Sequence, residues 1–253
     1  MRKDDGFTAT GKFYSFRPGY PPDAIRWVVE RLGLDGSGRM LDVGCGTGHA
    51  CFCFAGQFAQ IIGIDPSAPM LDEAKAIALK RGASGFEFRQ MKAEDLPADL
   101  GAFRLICFGA SFHRVDRERV LDICHGMLEP GGGLALLFPS VPWRGDALWK
   151  EAIRHAIKDW TGKTIGGPFE LSQNFITRSQ FGVYQESNFA EMHTWSAEEV
   201  IGYLKSTSVC SPAALGERTD AFGRDLTSRL LKLQPDGRFR GVLETTVVLA
   251  VRR

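Results

Sequence analysis

The segment Leu41-Asp42-Val43-Gly44-Cys45-Gly46-Thr47-Gly48-His49 decides the fold, because it leads from an apolar run through a glycine-rich turn into a helical pattern. Glycine adopts positive φ without strain and lets a ligand approach backbone N–H groups. Asp65 ends the next apolar run, 21 residues after Gly44. In such folds an acidic side chain at this place accepts hydrogen bonds from ribose hydroxyls. Together the two features predict a site for an adenosine-containing cofactor.

Short apolar runs alternate with helical patterns from residue 39 onward, which is typical of βαβ units. The runs are nearly continuous, as expected for strands that helices bury on both faces. We therefore predict an α/β fold, Rossmann-like and doubly wound, with a mostly parallel seven-stranded sheet. The predicted strands are RMLDV (39–43), QIIGID (60–65), FEFRQ (86–90), FRLICF (103–108), LALLFP (134–139), a run near FAEMHTW, and VLETTVVLAV (242–251).

The helical patterns have recognisable ends. Proline opens a helix over 21–33, Gly82 follows one over 66–81, and Asp116 is a good N-cap for 117–128. Further helices are predicted over 149–160, 196–206 and 218–232.

The remaining segments read as irregular. An arm precedes the first helix within residues 1–35, and 161–175 is predicted to be a loop. Residues 140–188 gather several aromatic side chains and are predicted to form a helical, aromatic lid insertion over the cofactor. Without repeats or low-complexity linkers, we expect one domain over 1–253.

Composition excludes several classes of protein. The 253 residues carry a net charge of +1 without a basic block, so nothing indicates a nucleic-acid partner. No apolar stretch has the length of a membrane helix, and no apolar leader begins the chain, so we expect a cytoplasmic protein without a membrane partner. The six cysteines lie in apolar segments and the five histidines are scattered, which predicts buried thiols and no metal.

The motif LDVGCGTG at 41–48 resembles that of the class I S-adenosylmethionine-dependent methyltransferases. The segments 64–71, 93–97 and 128–132 are similar to the family's next three motifs, in the same order. Within this family, the arm at 13–21 and the segment Ser111-Phe112-His113 look like the methyltransferase type 11 branch that includes trans-aconitate methyltransferases. Arg114 departs from that branch, which usually has Trp there, and Lys92 stands where a small polar or acidic residue is common.

The resemblance implies S-adenosyl-L-methionine as cofactor and S-adenosyl-L-homocysteine as product. It implies that the glycine turn lines the methionine portion, that Asp65 binds the ribose, and that His113 is a candidate catalytic residue. The implied cofactor-binding residues are Tyr14, Arg17, Asp42, Gly44, Cys45, Gly46, Gly48, Asp65, Pro66, Met70, Ala93, Glu94 and Ser111.

Each of these roles has a plainer alternative. Asp65 precedes a proline and also fits a helix cap, and Asp42 also fits a buried cap on the glycine turn. Met70 also fits simple core packing, and the arm with Tyr14 and Arg17 also fits an exposed segment that contacts nothing. His113 follows the fourth strand, where it is either a general base or a residue that only positions the cofactor.

The methyl acceptor is predicted to be a small molecule that takes the methyl on oxygen, nitrogen or carbon. The motif [DN]-P-P-[YF] of nucleic-acid amino methylation does not follow the fourth strand, and neither do the paired glutamates of arginine methylation. Two other functions stay open: a non-catalytic cofactor-binding protein, and a nicotinamide-dependent oxidoreductase, which the early third glycine disfavours. The sequence leaves the oligomeric state undetermined.

Overall fold

The computed structural model describes residues 10–165 and 173–253. Within them one sheet has seven strands in the order β3-β2-β1-β4-β5-β7-β6. The strands are β1 (Arg39–Val43), β2 (Gln60–Asp65), β3 (Phe86–Gln90), β4 (Phe103–Gly109), β5 (Leu128–Pro139), β6 (Tyr184–Trp195) and β7 (Phe239–Val251). The predicted mostly parallel α/β sheet is confirmed.

The sheet reverses its winding direction between β1 and β4. β1 pairs in parallel with β2 on one side and with β4 on the other. β3 continues the parallel arrangement beyond β2, and β5 does so beyond β4, whereas β7 pairs antiparallel with β5. Ligands of doubly wound sheets bind at the carboxyl ends of the strands beside such a reversal. Val43 and Gly109 end the two strands there.

Local signals explain the ends of several helices. Pro22 opens the first helix, and Gly33 closes it in the left-handed conformation with φ of 58°. Asp116 caps a later helix by accepting a hydrogen bond from Arg119 N. The helices are α1 (Pro22–Leu32), α2 (His49–Cys53), α3 (Ala68–Lys80), α4 (Arg117–Met127), α5 (Leu148–Thr161), α6 (Gln173–Arg178), α7 (Ala197–Lys205), α8 (Pro212–Leu215) and α9 (Thr219–Leu233).

The described residues divide into two compact units. One comprises 19–139, 173–189 and 244–253, and it holds β1 to β5. Apolar clusters cover both faces of its sheet: Leu41 and Ile106 belong to one, and Met40 and Leu105 to the other. The single domain stays a prediction, and so does the lid role of 140–188.

The other unit comprises 10–18, 140–165 and 190–243. Trp149, Ile153 and Ile157 lie along one side of α5 and are buried. They pack in a cluster with Phe222 and Leu226 of α9. The helix predicted over 149–160 is therefore confirmed, and its apolar side belongs to the core of this unit.

The structure departs from the sequence-based expectations at three places. Residues 173–175, the end of the loop predicted over 161–175, belong to α6, in which Ile176 is fully buried in an apolar cluster; residues 166–172 of that predicted loop lie outside the described residues. β5 begins at Leu128, earlier than the predicted residue 134. The strand continues through Gly132, where a Cβ would lie 3.0 Å from the Phe103 carbonyl oxygen, because glycine permits this close approach. The arm contains a 3-10 helix, Gly11–Phe16, where irregular chain was expected.

The capping box of α7 provides a test of local stability. The Ser196 hydroxyl accepts from Glu199 N at 3.1 Å, and the Glu199 carboxylate accepts from Ser196 N at 2.7 Å. We expect Ser196→Ala to lower the free energy of unfolding by about 1 kcal/mol, measured by urea denaturation. Ser228→Ala, at an exposed position inside α9, is the matched control and should change stability by less than about 0.5 kcal/mol. Equal effects of the two substitutions would contradict the capping role.

Candidate active site

The glycine turn after β1 is tied to the end of β2 by backbone hydrogen bonds. Gly44 N and Cys45 N both donate to the Ile64 carbonyl, at 2.8 and 2.9 Å. Gly44, Gly46 and Gly48 have φ values of 71°, 54° and 83°, in the region that favours glycine. A Cβ at Gly44 would lie 2.6 Å from Ser111 Cβ. The turn is therefore tightly built against the chain that follows β4.

Asp65 holds this turn and the start of α3 together. Its Oδ2 accepts from Gly46 N at 2.9 Å, and its Oδ1 accepts from Ser67 N at 2.8 Å. The N-cap of α3 is Ser67, so Asp65 is not the helix cap that the sequence left as an alternative; its second contact holds the residue before the helix. These two hydrogen bonds fix the orientation of the carboxylate at the carboxyl end of β2. Its role towards the ribose stays a prediction.

Asp42 is a buried carboxylate beside the same turn. Its side chain is 1% exposed, and the Cys51 thiol donates to Oδ2 at 3.1 Å. Oδ1 has no hydrogen-bond partner among the described residues. Desolvation raises the pKa of Asp42 to about 7, the Cys51 hydrogen bonds oppose the shift, and the Asp65 charge adds to it. Among the described residues, Asp42 makes no hydrogen bond to the glycine turn, so it does not cap the turn as the alternative from the sequence proposed.

The chain after β4 turns sharply towards the glycine turn. Ala110 adopts a φ of 58°, which costs a residue with a Cβ about 1–2 kcal/mol. Beyond it, the Ser111 hydroxyl donates to the Val43 carbonyl at the end of β1. Phe112 is buried, and the adjacent His113 is exposed. This backbone therefore fixes Ser111 beside the glycine turn, with His113 two residues further along the chain.

His113 is neutral at physiological pH. Desolvation lowers its pKa to about 4, and the positive charges of Arg114 and Arg117 add to the shift. A neutral imidazole accepts a hydrogen bond. Once protonated, however, an imidazolium with this pKa gives its proton to water readily. His113 is consequently a weaker base than an ordinary histidine, whose pKa is about 6.5.

The remaining predicted residues of this unit follow β2 and β3. Met91 N donates to the Asp65 carbonyl at 3.1 Å, which brings the end of β3 beside Asp65. Met70 and Ala93 are buried at 3% and 6% exposure, so the packing alternative for Met70 stays open. Pro66 is exposed, and its carbonyl accepts from Gln90 Nε2 at 3.0 Å.

Glu94 connects the chain after β3 to the start of α4. Its Oε1 accepts from Asp116 N at 2.9 Å, and its carbonyl accepts from Arg119 at 2.9 Å. These contacts fix the backbone around Ala93 and Glu94, two of the residues that the resemblance implies for cofactor binding.

Tyr14 and Arg17 lie in the other unit, in and directly after the 3-10 helix of the arm. Arg17 donates to Ser206 Oγ at 2.8 Å and to the Ser206 carbonyl at 3.0 Å. Its guanidinium lies 4.2 Å from the centre of the Tyr14 ring. The alternative of an arm that contacts nothing is therefore wrong, whereas the roles of both residues towards the cofactor stay predictions.

Three residues of the site were missed by sequence reasoning: Cys51, Ala110 and Tyr20. A Cβ at Gly109 would lie 2.7 Å from the Tyr20 hydroxyl, which places that hydroxyl at the end of β4. The nine-residue separation of Cys51 from Asp42 carries no pattern that predicts their contact. An alanine with positive φ likewise leaves no signal in the sequence.

Comparisons with known proteins identify the family. A family model described as a methyltransferase domain matches residues 40–132. An uncharacterized methyltransferase of Mycobacterium bovis is 30% identical over 216 residues, which cover 84% of this chain and 81% of the relative. The chain belongs to the class I S-adenosylmethionine-dependent methyltransferases. Its similarity to the trans-aconitate branch stays a prediction.

Further relatives of this methyltransferase agree with that assignment. A ubiquinone biosynthesis O-methyltransferase of Nitrobacter winogradskyi is 29% identical over 177 residues, covering 66% of this chain and 67% of the relative. A methyltransferase of Thiobacillus denitrificans, solved in complex with S-adenosyl-L-homocysteine, superposes with a TM-score of 0.58 at 17% identity, and each chain is covered fully. A putative type II methyltransferase of Anaeromyxobacter dehalogenans gives 0.62 at 19% identity, with 93% and 97% coverage. These two structures support the fold.

The described ranges, 10–165 and 173–253, also bear on other types of site. Their helices include none with the length and apolar character that crossing a membrane requires. They also include no group of three or more His, Cys, Asp or Glu side chains arranged to hold a metal ion.

The packing of the glycine turn leads to a test. We expect Gly44→Ala to lower the free energy of unfolding by about 2–4 kcal/mol, because it adds a left-handed alanine and a clash with Ser111. Gly33→Ala is the control: its φ is 58°, but its Cβ would meet no atom within 4 Å, so we expect a loss of about 1–2 kcal/mol. Urea denaturation measures both, and equal losses would contradict the tight packing.

Proposed function

We propose that this methyltransferase transfers the methyl group of S-adenosylmethionine to an oxygen, nitrogen or carbon atom of a small molecule. The cofactor site lies at the carboxyl ends of β1, β2 and β4. One observation supports the proposal most directly: the Asp65 carboxylate accepts from Gly46 N of the glycine turn and from Ser67 N, which fixes it at the carboxyl end of β2 beside that turn. In this position it suits the two ribose hydroxyls of an adenosyl group.

The described residues fit the two ends of this cofactor. The unpartnered Oδ1 of Asp42 suits an ammonium group, and Asp65 suits the ribose. The glycine turn lets the methionine portion approach backbone N–H groups without side chains in the way. Met70, Ala93 and Glu94 are proposed to border the adenine ring.

The reaction depends more on alignment of the acceptor atom with the cofactor methyl than on acid–base catalysis. The bound cofactor supplies an activated methyl on a positively charged sulfur, and S-adenosyl-L-homocysteine is the product. The glycine turn and Asp65 hold the reacting methyl in place. Keeping the acceptor atom in line with the sulfur–methyl bond lowers the activation free energy by several kcal/mol. His113 accepts a hydrogen bond from an O–H or N–H acceptor and orients its lone pair. With a pKa of about 4 it is proposed to orient the acceptor more than to remove its proton.

Asp65 provides the direct test of cofactor binding. We expect Asp65→Asn to weaken binding of S-adenosylhomocysteine at least tenfold, because a charge and one acceptor oxygen towards the ribose are lost. Isothermal titration calorimetry measures the affinity, and thermal denaturation checks that the variant is folded. Asp72→Asn, at an exposed position of α3, is the control and should bind like the parent. Parental affinity in Asp65→Asn would overturn the assignment.

The surroundings of His113 lead to a prediction about the protonation of its imidazole. We expect its imidazole to stay neutral down to about pH 5, because its pKa lies near 4. Proton NMR follows the titration, with the signal assigned by its absence in His113→Ala. Arg114→Ala should move the midpoint upward, since it removes a nearby positive charge. A midpoint near 6.5 in the parent would instead favour a general base.

Methyl transfer itself separates an enzyme from a cofactor-binding protein. With labelled S-adenosylmethionine and a panel of small acids, phenols and amines, we expect the label in at least one acceptor. The relative named as an O-methyltransferase favours testing phenols first. Cofactor binding without transfer across the panel would favour the non-catalytic alternative.

A further inference from the structure

Asp42 lies on the apolar face of the sheet that α2 covers. Its neighbours across the sheet are Gly63 on β2 and Cys107 on β4, so its side chain points to the same face as Cys107. That face carries the cluster with Met40, Ala50, Cys51, Phe54 and Leu105. A carboxylate is consequently held among apolar side chains at 1% exposure.

Asp42 has few hydrogen-bond and charge partners among the described residues. Cys51 of α2 donates to Oδ2, whereas Oδ1 accepts no hydrogen bond from the described residues. The other titratable groups that interact with it are the thiols of Cys45, Cys53 and Cys107, and the Asp65 carboxylate. Burial raises the pKa of the Cys45 and Cys51 thiols, so these stay neutral. The neighbours therefore supply no positive charge to this carboxylate.

We infer that Cys51 is a positioning residue: its thiol fixes Oδ2 of Asp42 so that Oδ1 pairs with the α-ammonium group of the cofactor, and binding therefore expels a proton from Asp42. This inference rests on the proposed function. The ammonium supplies the positive charge that the described residues do not place beside the carboxylate.

The proton balance is simple. In the free protein near neutral pH a fraction of Asp42 carries a proton on its carboxyl group, since its pKa is about 7. On binding, the carboxyl O–H bond breaks, the proton passes to the buffer, and the carboxylate pairs with the ammonium. Because the protonated form binds poorly, the apparent dissociation constant rises as the competent fraction falls.

Calorimetry with S-adenosylhomocysteine at pH 6 and pH 8 tests the inference, using buffers of different ionisation enthalpy. We expect about tenfold weaker binding at pH 6 than at pH 8. We also expect release of about 0.9 proton at pH 6 and about 0.1 at pH 8, for a group that titrates near 7. Adenosine, which lacks the ammonium, is the control ligand and should release no proton.

Three variants separate the positioning role from a structural one. Asp42→Asn should abolish both the pH difference and the proton release. Cys51→Ala removes the donor that favours ionisation, so the pH at which binding weakens should rise, and Cys51→Ser should restore it. A structural role alone would weaken binding equally at both pH values in Cys51→Ala.

The outcomes distinguish this inference from the proposed function. Tight binding at both pH values without proton release would overturn the inference and leave cofactor binding intact. A pH dependence that persists in Asp42→Asn would assign it to another group and overturn the inference as well. No binding at either pH would overturn both.

Discussion

The acceptance of two backbone N–H groups by the Asp65 carboxylate is the interaction on which the site depends. It joins Gly46 of the turn after β1 to Ser67 at the start of α3. The carboxyl ends of the parallel strands β1 and β2 are thereby connected through one carboxylate, beside the place where the sheet reverses direction. A side chain that organises backbone and also faces a ligand is held in one orientation before the ligand arrives. Such preorganisation lowers the entropy that binding must overcome.

Unfavourable local features gather at the same edge of the sheet. Ala110 has a left-handed backbone, and Asp42 is a buried carboxylate with one unpartnered oxygen. Each lowers stability by about 1–3 kcal/mol, and such features persist where the surrounding structure holds them in place. Their position beside the glycine turn fits a site that is completed by a ligand with a positive charge. The comparisons with methyltransferases lead to the same cofactor by an independent route.

Sequence reasoning predicted the strands well and the three-dimensional contacts of the site incompletely. β1, β2 and β3 begin and end at the predicted residues. β1 and β2 are mostly apolar and buried, as strands of a covered parallel sheet are, whereas β3 is a partly exposed edge strand with a polar residue at every second position. The helix at 173–178 escaped prediction, since it depends on burial of Ile176 and not on a local pattern. The contact of Cys51 with Asp42 escaped it for a related reason: a thiol donor inside an apolar run looks like any other core residue.

The most direct measurement of the central claim is a crystal structure of the protein grown with S-adenosylhomocysteine. We expect the ligand at the glycine turn, with both ribose hydroxyls donating to Asp65 and the ammonium beside Asp42. An empty crevice at saturating ligand, or a ribose bound away from Asp65, would contradict it.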